Sequence, residues 1–403
     1  MATVLLGWEL GGGLGHVGAL LDVAHSLAER GHEPILALKD VVEPLPILKG
    51  VPYRVLQSPV WTTEPPPGFL AASYADILAI RGYADADGLG ALVAGWQGLI
   101  ELTGAALVVC ESAPTLALAA LGGTPAVTMD HGFHAPPDHG PTFPMLCAGV
   151  APTVPPETLL EVVREVQRRR GRPGPETLPG LFAEADRFVR TFPETDPYHA
   201  CRRAPAAGPL RRLAGPIAPP AELTFFAYLA AEYPGMDLLF PYLSAVGYRG
   251  GVFLRNASAS LRATVRCPGL EVFESPQPMP ETLAKAAVVI HHGSLGIAES
   301  ALAAGRPQLS LPRHMEQELT GRALQDLGVG LSLTGRLSLQ DVEQALARLL
   351  GEPAFTERAI TLAHEVQARV PGECLTRITD CCVERLRQRE RLSPQSLLSR
   401  TTP

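Results

Sequence analysis

Short apolar runs of strand length alternate with stretches of helix length, and the alternation happens twice along the chain. In the first half the runs are TVLLGWEL (3–10), EPILALKD (33–40), AALVVCES (105–112) and TPAVTMD (124–130), with a helical stretch from Val17 to Arg30 stopped by Gly31. In the second half they are TFFAYLAAEY (224–233), GGVFLRN (250–256), LEVFES (270–275), AAVVIHHGS (286–294) and RPQLSLP (306–312), with helical stretches near 236–247, from Pro280 and from Leu295 to Ala304. Apolar runs without strict alternation are strands buried on both faces, and helices between them put those strands in a parallel sheet. The chain is therefore expected to be α/β and to fold as two doubly wound domains facing across a cleft. Ligands of such domains sit at the carboxyl ends of the strands.

The boundaries follow from composition. Residues 201–222, CRRAPAAGPLRRLAGPIAPPAE, are rich in Pro, Gly and Ala without a clear period, as expected of a connector. We expect a first domain at 1–208, a linker at 209–222, a second domain at 223–392 and a polar tail at 393–403. The last helical segment, about Leu375 to Arg391, is amphipathic and expected to pack across the cleft. At 403 residues and 46% hydrophobic, the chain has enough apolar material for two cores. A net charge of −7 provides no positive field for nucleic acid or anionic lipid. No leader pattern and no apolar run of about 18 residues is seen, so the expectation is a cytoplasmic protein without stable membrane insertion and with a small-molecule partner. Seven scattered cysteines suit reduced structural thiols rather than a disulfide framework or a zinc site.

The loop after the first apolar run, GGGLGH (11–16), admits three readings. Gly13, Gly15 and Gly18 fit G-x-G-x-x-G, and Asp40 ends the next run, as in a dinucleotide fingerprint. The glycines also suit a plain strand-to-helix turn. The third reading presents His16 for proton transfer, for which an imidazole is suited near neutral pH.

A second constellation lies at 284–317. The apolar run ends in His291-His292-Gly293-Ser294-Leu295-Gly296, a helix starts there, and Glu299 falls in its first turns. Backbone N–H groups at a helix N-terminus next to small residues suit a diphosphate, with His291 or Ser294 adding a hydrogen bond. Glu299 is placed to accept from the vicinal hydroxyls of a ribose. Further on, Pro312 precedes Glu316 and Gln317, an acid and an amide suited to sugar hydroxyls.

This stretch resembles the donor-binding signature of the UDP-glycosyltransferase superfamily. The matching positions are His291, Gly293, Glu299, Gly305, Pro307, Pro312, Glu316 and Gln317, and Ser275-Pro276-Gln277 resembles the segment that binds the nucleobase. The resemblance implies a GT-B fold of two Rossmann-like domains, and a sugar transferred from a UDP- or dTDP-activated donor to a hydroxyl of a small, hydrophobic or phenolic acceptor with inversion. It implies that His16 is the general base, that Glu111 in ALVVCES holds it where the family more often has Asp, and that His291, Gly293, Ser294, Gly296, Glu299, Glu316, Gln317 and Gln277 bind the donor. Neither metal nor cofactor is implied beyond the nucleotide sugar itself. A nucleotide-sugar epimerase and a non-catalytic sugar-nucleotide-binding helper are the rival readings.

The remaining motifs are read more plainly. Gly13, Trp61, His131 and Phe133 are the acceptor-side candidates, the last two because DHGFH (130–134) ends a strand. Asp85-Ala86-Asp87 is expected to cap a helix, and Arg168 to Arg172 to close one with cations and Gly171.

Overall fold

The computed structural model describes residues 1–392 apart from 67, 223, 337 and 370–372, so the expected tail at 393–403 lies outside the described residues. The chain divides into two compact units. The first joins Met1–Arg190, Tyr198–Leu210 and the segment from Glu373 onward, and the second joins Thr191–Pro197 to the segment that begins at Arg211.

Each unit contains one six-stranded parallel sheet. The first comprises β1 (Thr3–Trp8), β2 (Glu33–Leu38), β3 (Arg54–Gln57), β4 (Leu107–Glu111), β5 (Ala126–Thr128) and β6 (Asp186–Arg187), in the order β3-β2-β1-β4-β5-β6. The second comprises β7 (Phe225–Ala230), β8 (Gly250–Arg255), β9 (Leu270–Phe273), β10 (Val288–His291), β11 (Gln308–Ser310) and β12 (Gly330–Ser332), in the order β12-β11-β10-β7-β8-β9. Counted within its own unit, each sheet runs third, second, first, fourth, fifth, sixth. Both are thus the doubly wound sheet that the alternation implies. Each has a switch point where strand order reverses, β1 beside β4 in one and β7 beside β10 in the other.

The central strands are inaccessible on both faces: Val4, Leu5, Leu6, Leu107, Val108 and Val109 are all 0% exposed, as are Val288, Val289 and Ile290. Burial of each such side chain contributes about 1.5–3 kcal/mol. Three short strands, β3, β6 and the Gly-Leu-Ser strand β12, were not evident in the sequence. The polar ends of β3 and the two-residue length of β6 leave no apolar run to read.

The structure corrects the expected boundaries. Helix Cys374–Leu392 belongs to the first unit, where Cys374, Ile378, Cys382 and Leu386 enter the core of Val17, Leu20, Val23 and Leu27. Arg385 binds Asp186 of β6 at 2.5 and 2.8 Å, and Arg389 donates to Ala106 O at 2.6 Å. The apolar face read as amphipathic is the face that completes this core. The supposed linker is also tied down at both ends. Leu210 is buried in the first core, while the fully buried guanidinium of Arg306 donates to Ile217 O at 2.9 Å and Ala218 O at 2.8 Å in the second unit.

Asp85 caps helix Ala86–Thr103, accepting from Asp87 N at 3.0 Å, and Gly171 with φ 66° follows helix Pro156–Arg169, both as expected. No disulfide joins the seven cysteines, and Cys110, Cys374 and Cys382 are buried. Among the described residues, no helix is long and apolar enough to cross a membrane.

Candidate functional site

In the first unit the chemistry gathers at the switch point. Helix Leu14–Glu29 starts directly after β1, with Gly13 at its N-cap position (φ 92°), and places His16 in its first turn. Glu111 ends β4 in register with Trp8 of β1. His16 Nδ1 lies 2.6 Å from Glu111 Oε2, with the acid fully buried and the histidine 7% exposed. The other carboxylate oxygen, Oε1, accepts from Arg190 Nη2, and Arg190 Nε donates to Met129 O at 2.7 Å. The Glu111 carboxylate is thus held from both sides. A carboxylate on Nδ1 favours the tautomer with its proton there, so that Nε2 carries the lone pair.

The neighbours fix the imidazole plane. Trp8 stacks on it with centroids 5.3 Å apart and an interplanar angle of 16°. His131 and His134 approach at 5.7 and 6.1 Å, and Phe133 stands beside His134 at 5.2 Å. Gly11 must be glycine on two counts: its φ is +80°, and an added Cβ would stand 2.5 Å from His16 Nε2. Asp130, which accepts from Ser112 N, anchors the end of β4, and burial pushes its carboxyl up to about 6.

Of the acceptor-side candidates, Gly13, His131 and Phe133 therefore stand around His16. Trp61 lies instead in a neighbouring cleft with Glu9, Lys39 and Arg81. Asp40, the acid that a dinucleotide fingerprint requires, closes its own turn through Oδ1, which accepts from Val42 N at 2.7 Å and Glu43 N at 3.1 Å.

In the second unit the turn after β10 has a different design from the one expected. His291 is fully buried, and burial pushes its pKa down to about 4. Its Nδ1 accepts from Gly293 N at 2.8 Å and its Nε2 donates to Gln308 Oε1 at 2.7 Å. With both ring nitrogens spent inside the fold, none is left for the expected bond to a diphosphate. His291 shapes the turn instead. His292 is likewise neutral, pushed down to about 4 mainly by burial, and bridges Ala230 N and Leu311 O.

Gly293, at φ 93°, lies where a Cβ would meet Gln317 O at 2.6 Å. Ser294 and Gly296 are exposed at the start of helix Leu295–Ala303, with open space at Gly296. Gln317 braces this turn, accepting from Arg313 N at 2.9 Å and donating to Ser294 Oγ at 3.3 Å. Glu316 stands half-buried in the first turn of helix Met315–Asp326. Gln277 closes its own segment through Ser275 O at 2.9 Å.

Glu299 is 5% exposed, and its Oε1 is occupied. It accepts from Thr191 Oγ1, from Phe192 N at 2.8 Å and from Thr195 Oγ1 at 2.9 Å. The two threonine hydroxyls lie 3.0 Å apart and present a pair of donors, as the vicinal hydroxyls expected on Glu299 would. This partner segment and Arg190 carry no motif of their own, and only the fold reveals them.

Comparison with known proteins bears on the fold and on the C-terminal segment. Residues 267–381 match the family model of the erythromycin biosynthesis protein CIII-like C-terminal domain. The elloramycin glycosyltransferase ElmGT of Streptomyces olivaceus is 33% identical over 124 residues, 31% of this chain and 31% of that protein. The erythronolide mycarosyltransferase of Saccharopolyspora erythraea is 30% identical over 105 residues, 26% of this chain and 25% of that protein. These alignments cover about a third or less of the curated relatives.

Over nearly the whole chain, the calicheamicin glycosyltransferase CalG4 superposes with a TM-score of 0.68 at 18% identity, covering 98% of this chain and 99% of its own. The glycosyltransferase VinC, solved with dTDP, superposes at 0.65 with 16% identity, covering 96% and 100%. The fold is GT-B, and the resemblance read from the 291–317 motif holds.

Proposed function

From a GT-B chain whose residues 267–381 match the EryCIII-like domain, we propose a glycosyltransferase that moves a sugar from a nucleoside diphosphate to a hydroxyl of a small molecule. The observation that carries this reading is the 2.6 Å contact of His16 Nδ1 with a buried carboxylate at the switch point. It directs the basic lone pair of Nε2 to the side opposite Glu111. Named transferases among the relatives and a dTDP complex among the structural neighbours support sugar transfer and a UDP- or dTDP-type donor.

In the proposed reaction, Nε2 of His16 takes the proton of the acceptor hydroxyl as the oxygen bonds to the anomeric carbon. The bond from that carbon to the diphosphate oxygen breaks, the nucleoside diphosphate leaves with the electron pair, and the configuration inverts. Glu111 stabilises the imidazolium that results. On the donor side, the N–H groups at the start of helix Leu295–Ala303 oppose the phosphate charge. Glu316 and Gln317 bind sugar hydroxyls, and Glu299 the ribose once the Thr191–Thr195 segment yields its place.

The test pairs calorimetry of UDP and dTDP binding with a transfer screen on wild type and His16→Ala. Loss of transfer with nucleotide affinity retained supports the reading. Turnover by His16→Ala near the wild-type rate overturns the mechanism, and conversion of the donor sugar without any acceptor points to an epimerase.

A further inference from the structure

Arg190 follows β6 and turns back to the ends of β5 and β4. Its N donates to Asp130 O at 2.9 Å, extending the pairing that Phe188 N makes with Thr128 O at 2.9 Å. Its Nε donates to Met129 O at 2.7 Å, and Nη2 donates to Glu111 Oε1. The guanidinium is thus fixed on the end of β5 where it meets the carboxylate. The backbone behind that carboxylate is fixed as well. Ser112 takes φ 48°, a left-handed conformation that a residue with a side chain holds only under constraint. The constraint is visible: Ser112 N donates to the Asp130 carboxylate, and Ser112 O accepts from Leu10 N at 2.8 Å. Glu111 is therefore set between the His16 ring and a cation.

Counted by themselves, the three side chains sum to zero charge when His16 is neutral and to a single positive charge when it is protonated. Glu111 is 0% exposed and the Arg190 side chain 13%, so water screens the difference weakly. Without the guanidinium, the proton-bound dyad becomes the balanced state. The cation therefore lowers the proton affinity of the pair, whichever member holds the proton. The other ionisable groups around the ring are His131 and His134 at 5.7 and 6.1 Å, Lys39 across Trp8, and Asp130, whose carboxyl burial raises to about 6 against the pull of Arg187 and Arg202. These stay in place when Arg190 is changed, so the sign of its effect stands.

Resting on the glycosyltransferase reading, we infer that Arg190 is a positioning residue for the base: it holds Glu111 on Nδ1 of His16 and keeps the dyad free of an extra proton near neutral pH, so that Nε2 can accept the hydroxyl proton.

The experiment follows kcat/KM for sugar transfer against pH, whose acid limb reports the base of the free enzyme. Alongside it, ¹⁵N-labelled histidines of the full chain are titrated, with His16 assigned by its absence in His16→Ala. In Arg190→Met and Arg190→Gln, the acid limb and the His16 titration are both expected to rise by about one pH unit. Arg190→Lys, which keeps the charge, is expected to return both toward wild type. Melting curves check folding, and two neutral variants of different polarity keep the test open if one does not fold. A limb and a titration that stay in place in the neutral variants, with the rate reduced alike at every pH, mean that Arg190 only holds the fold and overturn the inference. A shift in Arg190→Lys as large as in Arg190→Met overturns it too. A His16 titration that moves as expected in a chain that transfers no sugar defeats the glycosyltransferase reading and leaves the part of Arg190 standing. Sugar transfer with an unmoved limb does the reverse.

Discussion

Replacing Glu111 by Gln swaps one oxygen for an NH₂ in a space whose partners are fixed. Arg190 Nη2 is a donor without acceptor capacity, so the amide oxygen must face it and the NH₂ must face His16 Nδ1. Nδ1 then becomes an acceptor, the ring proton moves to Nε2, and the lone pair that would take the acceptor proton is gone. Turning the amide round would set its NH₂ against the guanidinium, leaving a buried donor unsatisfied at about 1–3 kcal/mol.

In Ser-His-Asp enzymes the corresponding acid-to-amide change lowers kcat about 10⁴-fold. For Glu111→Gln we expect a loss of about 10³–10⁴-fold, or ~4–5.5 kcal/mol of barrier. The Arg190 side chain is only 13% exposed, so loss of its ion pair with Glu111 also lowers stability. The assay is release of UDP or dTDP at saturating acceptor, with melting curves at the assay temperature and ¹⁵N-histidine spectra to read the tautomer. A folded Glu111→Gln within tenfold of wild type, or one whose His16 still carries its proton on Nδ1, would refute the argument.

Gly11→Ala places a methyl 2.5 Å from His16 Nε2 at φ +80°; initial rates are expected to fall about 100-fold through a displaced ring, with a stability loss of about 1–3 kcal/mol, and a rate near wild type would mean that the loop relaxes freely. Glu9 has a folded pKa raised from 4.5 to about 8, so the folded state keeps a proton that the unfolded chain releases. Its contribution is full below pH 4.5 and declines as pH rises through 8, by on the order of a few kcal/mol. Urea midpoints at pH 5 and 8.5 should therefore fall further in wild type than in Glu9→Gln, and parallel declines would mean that Glu9 is charged in the fold. Ile378→Ala empties a fully buried position and is expected to lower stability by about 2–5 kcal/mol in denaturant titrations; an unchanged midpoint would mean that helix Cys374–Leu392 is not needed by the first core.

The parts of the site legible in the sequence were those set by the local chain. Gly11 to His16 and His291 to Gly296 each follow a buried strand, and a strand-to-helix turn needs those small residues whatever the rest of the fold does. The parallel, doubly wound class of both sheets follows from the alternation of strands and helices. Contacts between distant segments were illegible. Arg190 reaches Glu111 from 79 residues away, and Thr191 reaches Glu299 from 108, with no periodicity to announce either. His291 shows the opposite failure: the residue was evident, but its part depends on Gln308 of β11 and on Gly293 N, which together keep both ring nitrogens internal. The reach of helix Cys374–Leu392 was misjudged because an amphipathic face states that it must be covered and not by what.

That helix also imposes an order of events on synthesis. The first core needs Cys374, Ile378, Cys382 and Leu386, yet most of the roughly 160 residues from 211 to 372 belong to the other unit and are made in between. At translation speeds of about 5–20 residues per second, the N-terminal sheet stays open on that face for on the order of 10 s, while the second unit can fold behind it. A chimera that exchanges halves with a relative must accordingly carry residues 373–392 with the N-terminal half, because a cut at residue 210 alone separates a sheet from its own cover.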